Sequence, residues 1–140
     1  MSLLSQPLIG FTDGIFDGCH QGHHTLWETC RMHCDILVVG VYSDAYTRFC
    51  KGEQRPHQPY DVRMNAVRSN EWVDRVLLLE DVAALDSLLQ SGMIDLWFHG
   101  ERQTNRLKNA YPGVLNRWVK RTEGISSTIL FEGTPGPDDH

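Results

Sequence analysis

Residues 36 to 42 read Ile-Leu-Val-Val-Gly-Val-Tyr, an apolar run that no charged or amide side chain interrupts. A strand with one wet face alternates polar and apolar residues. An unbroken run rich in valine instead fits a strand covered on both faces, as in a parallel sheet layered between helices. The remaining chain supplies matching parts. Leu8 to Thr12 reads as a strand, and residues 21 to 34 as an amphipathic helix with Leu26, Trp27, Cys30 and Cys34 inward. Residues 43 to 58 contain Gly52 and Pro56 and are too long for a tight turn, which predicts an active-site loop. Pro59 suits the first turn of a helix through about Asn70.

Val76 to Leu79 gives a third strand. Val82 to Ser91 gives a helix with Leu85, Leu88 and Leu89 inward, stopped by Gly92, and Leu96 to His99 a fourth strand. Residues 101 to 113 are polar and irregular, Val114 to Val119 reads as a fifth strand, and Ser126 or Ser127 can cap a short last helix. This alternation predicts an α/β fold: a single Rossmann-like, doubly wound parallel five-stranded sheet that binds ligands at the carboxyl ends of its strands. His20 and His99 both fall at such ends.

With 140 residues and 41% hydrophobic content, the chain has enough material for one core and too little for two ordinary domains. Residues 1 to 132 are expected to form that domain. The tail from Gly133 to His140 offers nothing to bury and reads as disordered or as the start of an interdomain linker, so fusion to a second enzyme domain is an expectation. A net charge of −5 and a pI near 5.7 argue against nucleic acid as a partner. No apolar run reaches membrane-spanning length and the first residues lack a signal-peptide pattern, so no membrane is expected and the cytoplasm is the default location. Cys19, Cys30, Cys34 and Cys50 contain no C-x₂-C pair; their placement in or beside a helix favours packed, reduced thiols over zinc ligation.

The segment that carries chemistry runs Gly14-Ile15-Phe16-Asp17-Gly18-Cys19-His20-Gln21-Gly22-His23, between a strand and a helix start. Unpaired N–H groups and the positive end of the helix dipole attract phosphate there, and Gly22 lets a phosphate approach the backbone. His20 and His23, three apart on a first turn, share a face and can donate to one phosphoryl group. About a hundred residues later comes Arg121-Thr122-Glu123-Gly124-Ile125-Ser126-Ser127-Thr128, with hydroxyls, backbone N–H groups and a permanent cation around a turn. Together the two segments resemble the G-x-F-D-x-x-H-x-G-H and R-T-E-G-I-S-[ST]-T motifs of the cytidylyltransferase family. Tyr42-Ser43-Asp44, Lys51-Gly52, Arg63 and Trp72-Val73-Asp74 fall where that family has counterparts, so the resemblance covers roughly residues 8 to 132.

The resemblance implies transfer of CMP from CTP to a small phosphate- or phosphonate-bearing acceptor, with Mg²⁺ arriving on the nucleotide and a homodimer as the assembly. It assigns catalysis to His20, His23 and Lys51, with Lys51 bridging CTP and acceptor. It assigns nucleotide contacts to Gly14, Ile15, Phe16, Asp17, Gly22, Arg63, His99, Gly100, Arg121, Thr122, Gly124, Ile125, Ser126, Ser127 and Thr128. The resemblance gives Arg63 a support role at the phosphate site or the dimer interface; from the residues alone, Asp17 also reads as a helix cap and Arg63 as a surface charge. Where relatives have an acidic stretch, this chain has Glu101-Arg102, which favours a neutral or anionic acceptor over a cationic head group. Adenylyl transfer and a silent nucleotide-binding module remain alternatives, because the His-x-Gly-His pattern is shared.

Overall fold

The computed structural model describes residues 6–18, 21–100, 111–120 and 128–132. The central strand is where the apolar run places it: β2, Ile36–Tyr42, lies between β1, Ile9–Gly14, and β3, Arg75–Leu79, and pairs with both in parallel. Leu37, Val39 and Val41 face one layer and Val38 the other. The glycine inside the run has a packing cause. A Cβ on Gly40 would stand 2.7 Å from Leu79 Cδ1 and 2.9 Å from Phe11 Cε1, so a side chain there would displace the core.

β4, Leu96–Gly100, pairs in parallel with the other side of β1 and with β5, Leu115–Lys120. The order β3-β2-β1-β4-β5 contains the five expected parallel strands and reverses direction of growth between β1 and β4. A sixth strand, β6, Thr128–Glu132, runs antiparallel along β5, where the sequence suggested a short last helix. The correction has a simple reason. Thr-Ile-Leu-Phe is β-branched and aromatic, and the open edge of β5 offers it a ladder that a one-turn helix cannot match.

Helices cover both faces. α1, Gln21–Arg31, and α3, Tyr60–Arg68, bring Leu26, Trp27, Cys30 and Val67 onto Leu37, Val39, Val41 and Phe98. α4, Val82–Gln90, brings Leu85 and Leu89 onto Phe11, Val38 and Trp97 on the opposite face. Cys34 lies just past α1 but still in the core, and burial raises its thiol to about 11. The segment expected to be a loop from 43 to 58 contains a further helix, α2, Asp44–Lys51. Its start is fixed by the Ser43 hydroxyl, which accepts from Tyr46 N at 3.0 Å, and its end by Gly52 at φ 101°. Among the described residues, no helix is long and apolar enough to cross a membrane.

Candidate active site

In an open α/β sheet, the crevice opens where neighbouring connections leave in opposite directions. Here that point is the carboxyl end of β1 and β4, at Gly14 and Gly100. After Gly14 the chain turns sharply. Phe16 has φ 55°, a left-handed conformation costly for a phenylalanine, yet its ring is only 7% exposed. The turn drives that ring inward, edge-on to Trp27 at 5.2 Å and to His23 at 5.5 Å. His23 sits in the first turn of α1, half-buried, with its imidazole also facing the Trp27 indole at 5.9 Å. The positive end of a helix dipole at that turn favours an anion beside it.

Asp17, three residues after the end of β1, has a side chain only 2% exposed. Its carboxylate accepts from His57 N at 2.6 Å, Gln58 N at 3.0 Å and Arg55 Nε at 3.2 Å. Burial pushes this carboxyl up, but the N–H groups of His57 and Gln58, the Arg55 guanidinium and the charge of His57 outweigh it and hold the group below its usual 3.8. Gly18 N adds a bond to Gln58 Oε1 at 3.0 Å. Asp17 therefore staples the β1–α1 turn to the segment after α2, instead of capping α1.

Arg63 completes the staple from below. It is fully buried, and its guanidinium donates to Gln58 O at 2.9 Å, Ile15 O at 2.8 Å and Asp44 Oδ1 at 2.6 Å. Its planar fork thus ties α3 to the β1–α1 turn, to the 55–58 arm and to the start of α2. Lys51 occupies the last position of α2, at the root of that arm; it is exposed, and no ion pair among the described residues includes it. The charges that support the turn are therefore spent within the protein, while Lys51 projects into solvent.

The β4 side of the crevice is aromatic. His99 is 1% exposed, with its ring 4.3 Å from Trp97 and 5.0 Å from Trp118. Its Nε2 lies 3.0 Å from Asn116 Oδ1, a contact that places a proton on Nε2. Next to it Asp13, also buried, accepts from the Tyr42 hydroxyl at 2.6 Å and from Trp97 Nε1 at 3.0 Å. Its two oxygens thereby tie β1 to β2 and β4 just before Gly14.

The structure gathers Gly14, Ile15, Phe16, Asp17, His23 and Arg63 around one turn and sets His99 and Gly100 across the crevice. Gly22 lies in the first turn of α1. Thr128 begins β6, opposite Lys120. His20, Arg121, Thr122, Gly124, Ile125, Ser126 and Ser127 lie outside the described residues, as do Glu101 and Arg102. Sequence reasoning missed Arg55 and Gln58, which carry no motif and meet the turn only through the fold, and it gave Asp44 no role although Asp44 pairs with Arg63. It also missed the pairing of His23 with Trp27, although a spacing of four on a helix signals it.

Comparison with known proteins agrees with this geometry. A family model described as cytidylyltransferase-like matches residues 11–132. The ethanolamine-phosphate cytidylyltransferase of Dictyostelium discoideum is 34% identical over 131 residues, covering 89% of this chain and 36% of that protein. The bifunctional protein HldE of Acidiphilium cryptum is 45% identical over 80 residues, 57% of this chain and 16% of that protein. The chain thus spans well under half the length of these relatives. Among solved structures, a lipopolysaccharide core biosynthesis protein from Thermoplasma volcanium has the same fold, with a TM-score of 0.62 at 20% identity over 84% of this chain and 98% of that one.

Proposed function

This chain belongs to the cytidylyltransferase-like family, and we propose that it transfers CMP from magnesium-bound CTP to a small phosphorylated alcohol or a phosphonate. The observation that carries the reading is the matched family model, joined to a histidine on the first turn of α1 at the switch point of the sheet. An oxygen of the acceptor phosphate attacks the α-phosphorus, the new P–O bond forms in line, and the bond to the β-phosphate oxygen breaks to release pyrophosphate. The attacking oxygen is already anionic, so the chemistry needs charge neutralisation and alignment more than a base. His20 and His23 donate to the triphosphate and Lys51 bridges the two anions. Asp17 and Arg63 act by holding the turn that aims these groups. The resemblance adds Arg121 and the hydroxyls of Ser126, Ser127 and Thr128 as further donors to the nucleotide.

Among acceptors, the Dictyostelium relative supports phosphoethanolamine, against the opposite expectation from Arg102. A homodimer suits the open edge of β3, where Arg68, Val73, Arg75, Val76 and Leu77 line a groove of ≈ 290 Å³. Fusion to a further domain fits the short span of the relatives that the chain covers.

The test is pyrophosphate release with CTP, ATP, GTP and UTP against phosphoethanolamine, phosphocholine, glycerol 3-phosphate and hydroxyalkylphosphonates. Release is expected with CTP and magnesium. A tenfold preference for ATP would replace the reading with adenylyl transfer, and no release with any pair would leave a binding module. His23→Ala is expected to lower turnover by roughly 10²-fold, the usual loss of one transition-state donor.

A further inference from the structure

We propose that Trp27 is a positioning residue for His23, fixing the plane of its imidazole from one turn further along α1. The inference deepens the transfer reading and rests on it. His23 and Trp27 are four apart on one helix face, so their side chains lie one above the other. Their rings are close to parallel, at 23° with centroids 5.9 Å apart, within the range of offset stacking. Phe16 meets both rings edge-on, at 83° to His23 and 64° to Trp27. Trp27 is fully buried and cannot swing away, and Phe16 is itself held by its left-handed backbone. His23 is therefore the half-exposed member of a three-ring stack whose other two members belong to the core.

The indole is an expensive way to fill this space. Its Nε1 has no hydrogen-bond partner among the described residues, and a buried unpaired N–H is destabilising. A leucine would fill the layer without that cost, so what the tryptophan supplies is its ring face. That face orients the imidazole toward the crevice, where its ring N–H can donate to a phosphoryl oxygen.

The test separates positioning from packing. Trp27→Leu is expected to lower kcat roughly tenfold while KM for CTP stays within about threefold, because the ring plane matters most in the transition state. Trp27→Phe keeps a ring face and should restore kcat to within about threefold of wild type. In a His23→Ala background, Trp27→Leu should cost nothing further. In the substrate-free wild type, NMR should give nuclear Overhauser contacts between the ring protons of His23 and Trp27. The proposal is overturned if the Phe variant is no better than Leu, if the Leu loss is the same with and without His23, or if those contacts are absent. Should the Leu variant fail to fold, the ring contacts together with wild-type-like kcat in Trp27→Phe support the proposal, and loss of either overturns it. Wild-type protein that shows the contacts but transfers no nucleotide would sink the transfer reading while leaving the stack in place.

Discussion

Two aspartates, one at each end of the sheet, make the same kind of staple with opposite exposure. Asp74, just before β3, accepts from Leu37 N at 2.8 Å and Arg31 Nε at 2.9 Å, joining the starts of β2 and β3 to the end of α1. Asp17, just after β1, accepts from two backbone N–H groups and Arg55 Nε, joining the crevice turn to the arm that follows α2. The Asp74 side chain is 37% exposed and that of Asp17 is 2% exposed. Water competes for the first and is kept from the second, so donors of the same kind hold weakly at the amino end and rigidly at the carboxyl end, where one more backbone N–H joins them. The rigid staple is the one next to the proposed transfer site.

The sharpest way to break this comparison is Asp17→Ala. Freeing the turn should lower turnover by roughly 10²-fold, since small misplacements of catalytic groups are that costly. Loss of a buried acceptor should also reduce stability by about 2–3 kcal/mol in urea unfolding. Turnover within threefold of wild type would show that the staple does not serve the site.

Arg63→Lys asks whether charge or geometry matters below the turn. Lysine can meet Asp44, but one ammonium cannot replace a fork that reaches Gln58, Ile15 and Asp44 together. Turnover is expected to fall roughly tenfold with the fold retained, a smaller loss than at Asp17 because part of the network survives. Wild-type turnover in the Lys variant would reduce Arg63 to a point charge.

Acid unfolding sharpens the contrast further. The carboxyl of Asp17 is held below its usual 3.8 in the folded protein, so its stabilisation is fully present above that pH and is lost as pH falls through the lowered value. The stability difference between wild type and Asp17→Asn should therefore be constant at neutral pH and shrink below about pH 3.8. A difference unchanged down to pH 2 would contradict the lowered pKa. The smallest effect belongs to Asp74→Ala, expected to cost at most about 1 kcal/mol and to leave turnover within twofold. A larger loss of turnover would mean that the two ends are coupled.

Periodicity and burial pattern settled much of the frame. The run from Ile36 to Tyr42 gave β2 to the residue, because a strand covered on both faces needs an unbroken apolar run and little else does. Cys30 followed the inward face of α1 as its spacing requires, whereas the helix expected through Cys34 ends at Arg31 and Cys34 reaches the core from just beyond it. The failures were at places where short polar segments decide by local contacts. α2 was hidden because only Tyr46 and Thr47 are buried in it, and its start depends on the Ser43 hydroxyl. β6 was hidden because its stability comes from a neighbour that sequence does not display.

The sequence by itself determined the layered α/β frame, the placement of His23 at a helix start, and the family. These depend on apolar periodicity, helix geometry and motif order, all of which are written in adjacent residues. Only the tertiary structure decided what Asp17 and Arg63 hold, because Asp17 meets Arg55 and Gln58 at sequence separations of 38 and 41 and Arg63 reaches Ile15 at a separation of 48. Which side chains meet at such separations is set by how the helices pack on the sheet. A charge that looks free in the sequence becomes a structural bond once packing has excluded water from around it.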